Sequence, residues 1–158
     1  MAITYTNIFE DRIYDPMKVI IAAEFTRETG LDPNNIKFGV IEQDDLGMAD
    51  GGFLTIVPVL DEHLIFTSNQ SERDYTIELT YYRIQTPRVE YDILTDFAEH
   101  LRQLLDNNSD NQTNWCAGRV VSVDYEQVIE LDFDPDEEID NLSIVKITWT
   151  GMSVTARV

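Results

Sequence analysis

The densest chemistry in the chain is carboxylate. ELDFDPDEEIDN, Glu130 to Asn141, holds seven acidic side chains in twelve residues and no basic one. Asp132, Asp134 and Asp136 alternate as the first ligands of an EF-hand calcium loop would. The remainder of the stretch departs from that pattern. Glu137 stands sixth, where glycine must turn the chain, and Ser143 stands twelfth, where a bidentate glutamate closes the coordination sphere. The segment therefore reads as a solvated connection, turned at Asp134-Pro135-Asp136 and extended by Glu138 and Asp140. A second acidic segment, EQDDLGMADGG, opens with Glu42, Asp44 and Asp45.

Other residues capable of chemistry are sparse. His63 and His100 are the only histidines, and neither has a partner at metal-ligand or catalytic spacing. The chain contains no G-x-S-x-G elbow and no H-E-x-x-H, and GMADGG lacks the lysine of a phosphate-binding loop. Scattered carboxylates could meet as an acid-base pair, but with 30 of them spacing singles out none. The expectation is a protein that is not an enzyme and holds no metal or cofactor. Cys116 is the only cysteine, which excludes an internal disulfide and points to a reducing compartment; beside Trp115 it reads as a small packed apolar group.

Thirty acidic against eleven basic residues give a formal net charge of -19. Such a surface repels phosphate backbones and anionic lipid headgroups, so a basic nucleic-acid groove and membrane binding are both disfavoured. The 43% apolar content, with seven Tyr, seven Phe and two Trp, exceeds what a disordered chain carries. At 158 residues one domain of ordinary size is expected, 1–158, soluble and without a signal peptide or a membrane-spanning run.

The elements that must position these groups follow from periodicity. Asp15-Pro16 suits a helix opening, and Met17, Ile20, Ile21 and Phe25 predict a helix over about 16–29, stopped by Gly30 and Pro33. The segment 1–15 is left open, with Ile8, Phe9 and Ile13 suiting one helical turn. IKFGVI (36–41), FLTIVPVL (53–60), HLIFTS (63–68) and YTIELTYYRI (75–84) read as strands, with Pro58 confined to an edge or a bulge. Thr86-Pro87 opens a second helix to about Asp106, whose stripe is Leu94, Phe97, Ala98, Leu101, Leu104 and Leu105. Val121, Val123 and Tyr125 alternate as a strand, and LSIVKITWTGMSVTARV forms the last one, keeping period two around a break at Gly151. The fold class is α+β: a single domain with a mostly antiparallel sheet packed against two α-helices.

This order of elements resembles the bacteriophage tail terminators, also called minor tail or tail-completion proteins. The resemblance lies in YTIELTYYRI feeding YDILTDFAEHLRQLLDNN, then GRVVSVDYEQV, an acidic connection and the final strand, over roughly 16–158. It implies a virion protein of the neck, assembled in the host cytoplasm. Its expected form is a self-associated ring, usually a homohexamer, that caps the tube of major tail protein and ends its polymerisation. The opposite face would meet the head-tail connector or stopper, and DNA would pass through without specific binding. A head-tail stopper or another neck or baseplate protein shares the layout. An acidic DNA-mimic inhibitor of a host nuclease is the reading from a different class.

On the ring reading, Glu42, Asp44, Asp45, Asp132, Asp134, Asp136, Glu137, Glu138 and Asp140 are candidates for the bore or for a basic partner. Protomers of like charge need cations at their contacts. The expectation is that at least two of Arg73, Arg83, Arg88, Arg102, Arg119 and Arg157 cross a subunit interface to a carboxylate.

Overall fold

The computed structural model describes residues 7–28, 31–39, 52–65, 70–85, 90–108, 118–130 and 141–156. A helical run begins after Asn7, whose side-chain oxygen accepts the Glu10 amide at 3.2 Å. A π-helical turn, Glu10–Tyr14, passes directly into α1, Asp15–Glu28. Asp15-Pro16 thus lies inside a continuous helical segment and does not open one. Proline has no amide to donate and its ring crowds the carbonyl four residues back; the wider bonding of a π turn, with the Asp15 amide reaching Glu10, gives that ring room. Ile13, Met17 and Ile21 recur every four residues as the buried stripe.

After a 3-10 turn, Pro33–Asn35, capped by Asp32 at 2.9 Å to the Asn34 amide, the chain forms five strands. They are β1 (Ile36–Lys37), β2 (Phe53–Ile65), β3 (Gln70–Gln85), β4 (Gly118–Glu130) and β5 (Asn141–Ala156). The helix α2, Tyr91–Asn107, joins β3 to β4. The sheet order is β1-β2-β3-β5-β4, with every pairing antiparallel except the two residues of β1 on β2. The expected α+β fold, a mostly antiparallel sheet with two helices, is present.

Alternation along the strands sends residues two apart to the same face. On one face stand Leu54 and Ile56 of β2, Tyr75, Ile77, Leu79 and Tyr81 of β3, and Val145, Ile147 and Trp149 of β5. Both helices lie on this face, contributing Met17 and Ile21 from α1, with Ile13 from the π turn before it, and Leu94, Phe97, Ala98, Leu101 and Leu105 from α2 to one core. Phe97 stacks on Tyr81 with ring centroids 3.7 Å apart, a contact worth about 1 kcal/mol beyond simple burial. The other face carries Thr76, Glu78, Thr148, Thr150 and Lys146, with a separate small group of buried Phe53, Leu142 and Ile144 at one end.

Several boundaries differ from the periodicity. The predicted strands 53–60 and 63–68 are one strand, because a bulge at Val59 absorbs the irregularity and pairing resumes at Leu60 through Asp61 and Glu62. Pro58 sits beside that bulge, beyond the short reach of β1 and so on an open edge, as its missing amide requires. Strand β1 stops at Lys37, and Phe38 and Gly39 turn away, Gly39 at φ +129°. Helix α2 begins at Tyr91, four residues past Pro87, with Glu90 still extended. In β4 a second bulge takes Val121 out of register, so Val120 and Val123, and not Val121, pack toward the core.

No break occurs at Gly151. Pairing of β5 with β3 runs unshifted through it, which sends Met152 to the face opposite Trp149, where it is exposed. The glycine that matters most is Gly118, where an added Cβ would overlap the Trp149 indole. Trp149 is fully buried, and among the described residues its indole N–H has no hydrogen-bond partner. Its place rests on ring packing against that bare backbone.

Replacing Gly118 by alanine forces the indole or the β4 edge to shift, and is expected to cost about 1–3 kcal/mol in urea unfolding. A red shift of tryptophan emission should accompany the loss.

Candidate interaction surface

The nine acidic candidates, Glu42, Asp44, Asp45, Asp132, Asp134, Asp136, Glu137, Glu138 and Asp140, lie outside the described residues. Their points of attachment do not. Chain 131–140 spans Glu130 and Asn141, which face each other in the β4–β5 ladder and align with Gln85 of β3. Chain 40–51 returns at Gly52, next to Phe53, which aligns with Tyr82 and Ile144, three residues from that same sheet end. Segment 131–140 is therefore fastened at both its ends to one end of the sheet, whereas segment 40–51 reaches that end only on its return, having left from Gly39 after β1, which runs parallel to β2 and away from that end. Gly52, at φ +86°, brings its backbone so close that a Cβ there would meet the Tyr82 carbonyl at 2.5 Å.

Among the arginines, Arg73 and Arg102 are engaged within the chain. Arg73 makes a two-pronged contact with Asp61, at 2.6 and 3.4 Å, while its guanidinium lies 5.0 Å from the centre of the Tyr75 ring. Arg102 bridges Glu99 at 2.6 Å and Asp106 at 2.9 Å along one side of α2. Arg83 donates to the Tyr81 hydroxyl at 3.2 Å. Burial raises the Tyr81 pKa, and the Arg83 contact partly offsets it. Arg119 is exposed on β4 and has no ion-pair partner among the described residues. Arg88 and Arg157 lie outside them. The expectation of arginines reaching a second protomer thus rests, among the described residues, on Arg119 and Arg83, the two that no acid holds at home.

Each histidine lies beside a carboxylate. His63 is exposed within β2, 3.2 Å from Asp61. His100 touches Glu24 of α1 at 3.1 Å and ties the two helices together. No sequence period could give that contact, because it depends on how two helices cross. Among the described residues, no group of three or more His, Cys, Asp or Glu could hold a metal ion. Among the described residues no helix is long and apolar enough to cross a membrane. Cys116 falls outside the described chain.

The two lateral edges of the sheet stand out as exposed surface. Among the described residues β2 has no strand neighbour on that side beyond Thr55 and β4 none along its outer side, although the Val120 amide of β4 donates to the Asp106 carboxylate of α2 at 3.3 Å. Each edge exposes apolar side chains at its bulge: Val59 (59%) and Leu60 on β2, Val121 (56%) on β4. Between the edges the helix-free face is polar, with Lys146 bonded to Glu126 at 2.7 Å and Thr76 to Thr150 at 3.3 Å.

Comparison with known protein families finds no family model that matches this chain, and comparison with curated proteins finds no matching relative.

The Arg102 contacts on α2 give a pH test. Hydrogen bonds from Arg102 and then Gln103 hold the Glu99 carboxyl well below the usual range, to about 2. A depressed carboxyl contributes its full stabilisation above its ordinary pKa and loses it as pH falls toward 2, and salt weakens this exposed pair. NMR titration of the Glu99 side chain should show ionisation persisting to about pH 2, and Arg102→Ala should return the midpoint toward ordinary glutamate.

Proposed function

We propose that this chain is a structural protein of a bacteriophage neck, a tail terminator that forms a ring on the end of the tail tube. It ends tube growth and offers its far side to the head connector, and packaged DNA passes through the centre. One observation carries this reading: the acid-rich segment 131–140 is fastened at one end of the sheet, the acid-rich segment 40–51 rejoins the sheet near that end, and among the described residues the lateral edges have no strand neighbour beyond the two residues of β1. Lateral edges are suited to contacts between neighbours around a ring. In that arrangement the acidic end faces the axis.

The electrostatics agree with such a passage. Screening limits a charge to about 8 Å at physiological salt, so only carboxylates at the wall act on DNA in the bore. Segments 40–51 and 131–140 hold ten acids and no base, enough to repel phosphates without any specific contact. The tail tube protein, the connector or stopper, and other copies of this chain are the partners of this proposal. The DNA-mimic alternative has less support. On the helix-free sheet face Asp74, Glu78, Asp124 and Glu126 are interleaved with Thr76, Thr148, Thr150 and Lys146, unlike the unbroken rows that imitate phosphates.

Electron microscopy of particles made with and without the protein tests the reading. Tails of uncontrolled length in its absence are the expected result. Tails of normal length that fail to join heads would assign a stopper instead, and unchanged particles would overturn a neck role.

A further inference from the structure

We propose that copies of this chain join through a heterologous seam, in which the β2 edge of one copy lies against the β4 edge of the next. This deepens the ring reading and rests on it, but the seam is argued from the sheet itself. Neighbours β2, β3, β5 and β4 all pair antiparallel, so β2 and β4 point in opposite directions. Continuing the sheet sideways into a second copy sets β4 antiparallel to the next β2, the more stable mode of pairing.

The two edges also match in level. Pro58 and Val120 stand in the same cross-strand row, that of Ile77 and Trp149. Leu60 and Arg119 share the next, that of Thr76 and Thr150. The bulge residue Val59 lies between these rows and Val121 just outside the first, so two copies set level bring exposed valines from both edges close together and cover Leu60 as well. Arg119 then lies on the same sheet face as Glu62 of the neighbour, one diagonal step along the strand. Arg119 lacks an acid among the described residues, whereas the free β2 edge carries Glu62, beside an Asp61 already held by Arg73, and no lysine or arginine.

Symmetric pairing of like edges satisfies less. Two β2 edges would oppose acid to acid, and two β4 edges would leave Val59 and Leu60 in water. Pro58 and both bulges withhold regular ladder hydrogen bonds, so the seam is held by side chains and its register is set by them. A heterologous contact of this kind closes into a ring when its rotation allows and otherwise runs on as a filament.

Disulfide trapping tests the seam in a full-length Cys116→Ser background. Chains carrying Val59→Cys are mixed with chains carrying Val121→Cys and oxidised, with circular dichroism checking that each remains folded. Mixed dimers should exceed same-variant dimers by about tenfold, and Arg119→Glu should lower their yield by about tenfold. Glu62→Arg on the opposing chain should restore it. A majority of same-variant dimers, or no cross-linking up to millimolar protein, overturns the seam. The ring reading fails separately: a double-cysteine chain giving only open ladders keeps the seam and removes the ring. Closed rings seen by microscopy without mixed dimers remove the seam and keep the ring.

Discussion

The pairing of β3 with β5 is the constraint on which everything else depends. It runs without a register shift from Gln70 and Ala156 to Gln85 and Asn141. A slip of one residue would turn Ile77, Leu79 and Tyr81 away from the helices and put Thr76, Glu78 and Thr80 in their place. The core leaves no room for that exchange, since Leu79, Ile147 and Trp149 are essentially without exposure. With this central pair fixed, irregularity is pushed outward, and all three register shifts occur in the flanking strands, at Val59, at Val121 and between Glu126 and Ile129.

Placing both helices on one face has an electrostatic result. Apolar side chains are consumed on the covered side, so the described charge collects on α2, on the uncovered face and along the edges. Ion pairs there are local: Arg73 with Asp61, Arg102 with Glu99 and Asp106, Lys146 with Glu126. Each is partly exposed, so solvent screening leaves it a small contribution. They offset only a few acids of a chain at -19, and the surplus remains available to act on whatever lies nearby.

Much of the fold was legible in the sequence because its strongest elements obey one period throughout. The stripe Leu94, Phe97, Ala98, Leu101 and Leu105 is helical by spacing and is buried. The alternation of Ile77, Leu79 and Tyr81 is equally plain. What was not legible has local physical reasons. Asp15-Pro16 carries the same residues whether it starts a helix or follows a π turn, and only the bonding of Asn7 and Glu10 upstream decides. Asp61-Glu62 looks like a turn, yet the pair continues a strand because Arg73 on the adjacent strand meets Asp61. Val121 fits the alternation of its neighbours, but one inserted residue reverses which valines face inward. For the candidate surface, the acidic composition was visible, whereas the attachment of segment 131–140 to one sheet end, with the return of segment 40–51 near it, required the register.

The indole of Trp149 and the bare backbone at Gly118 form a lock between two strands. Neither position can change alone without a collision or a void. In related chains that share the contact, drift should be correlated: a side chain at the first site demands a smaller ring at the second. Two sites far apart in the polypeptide would then be inherited as a single unit.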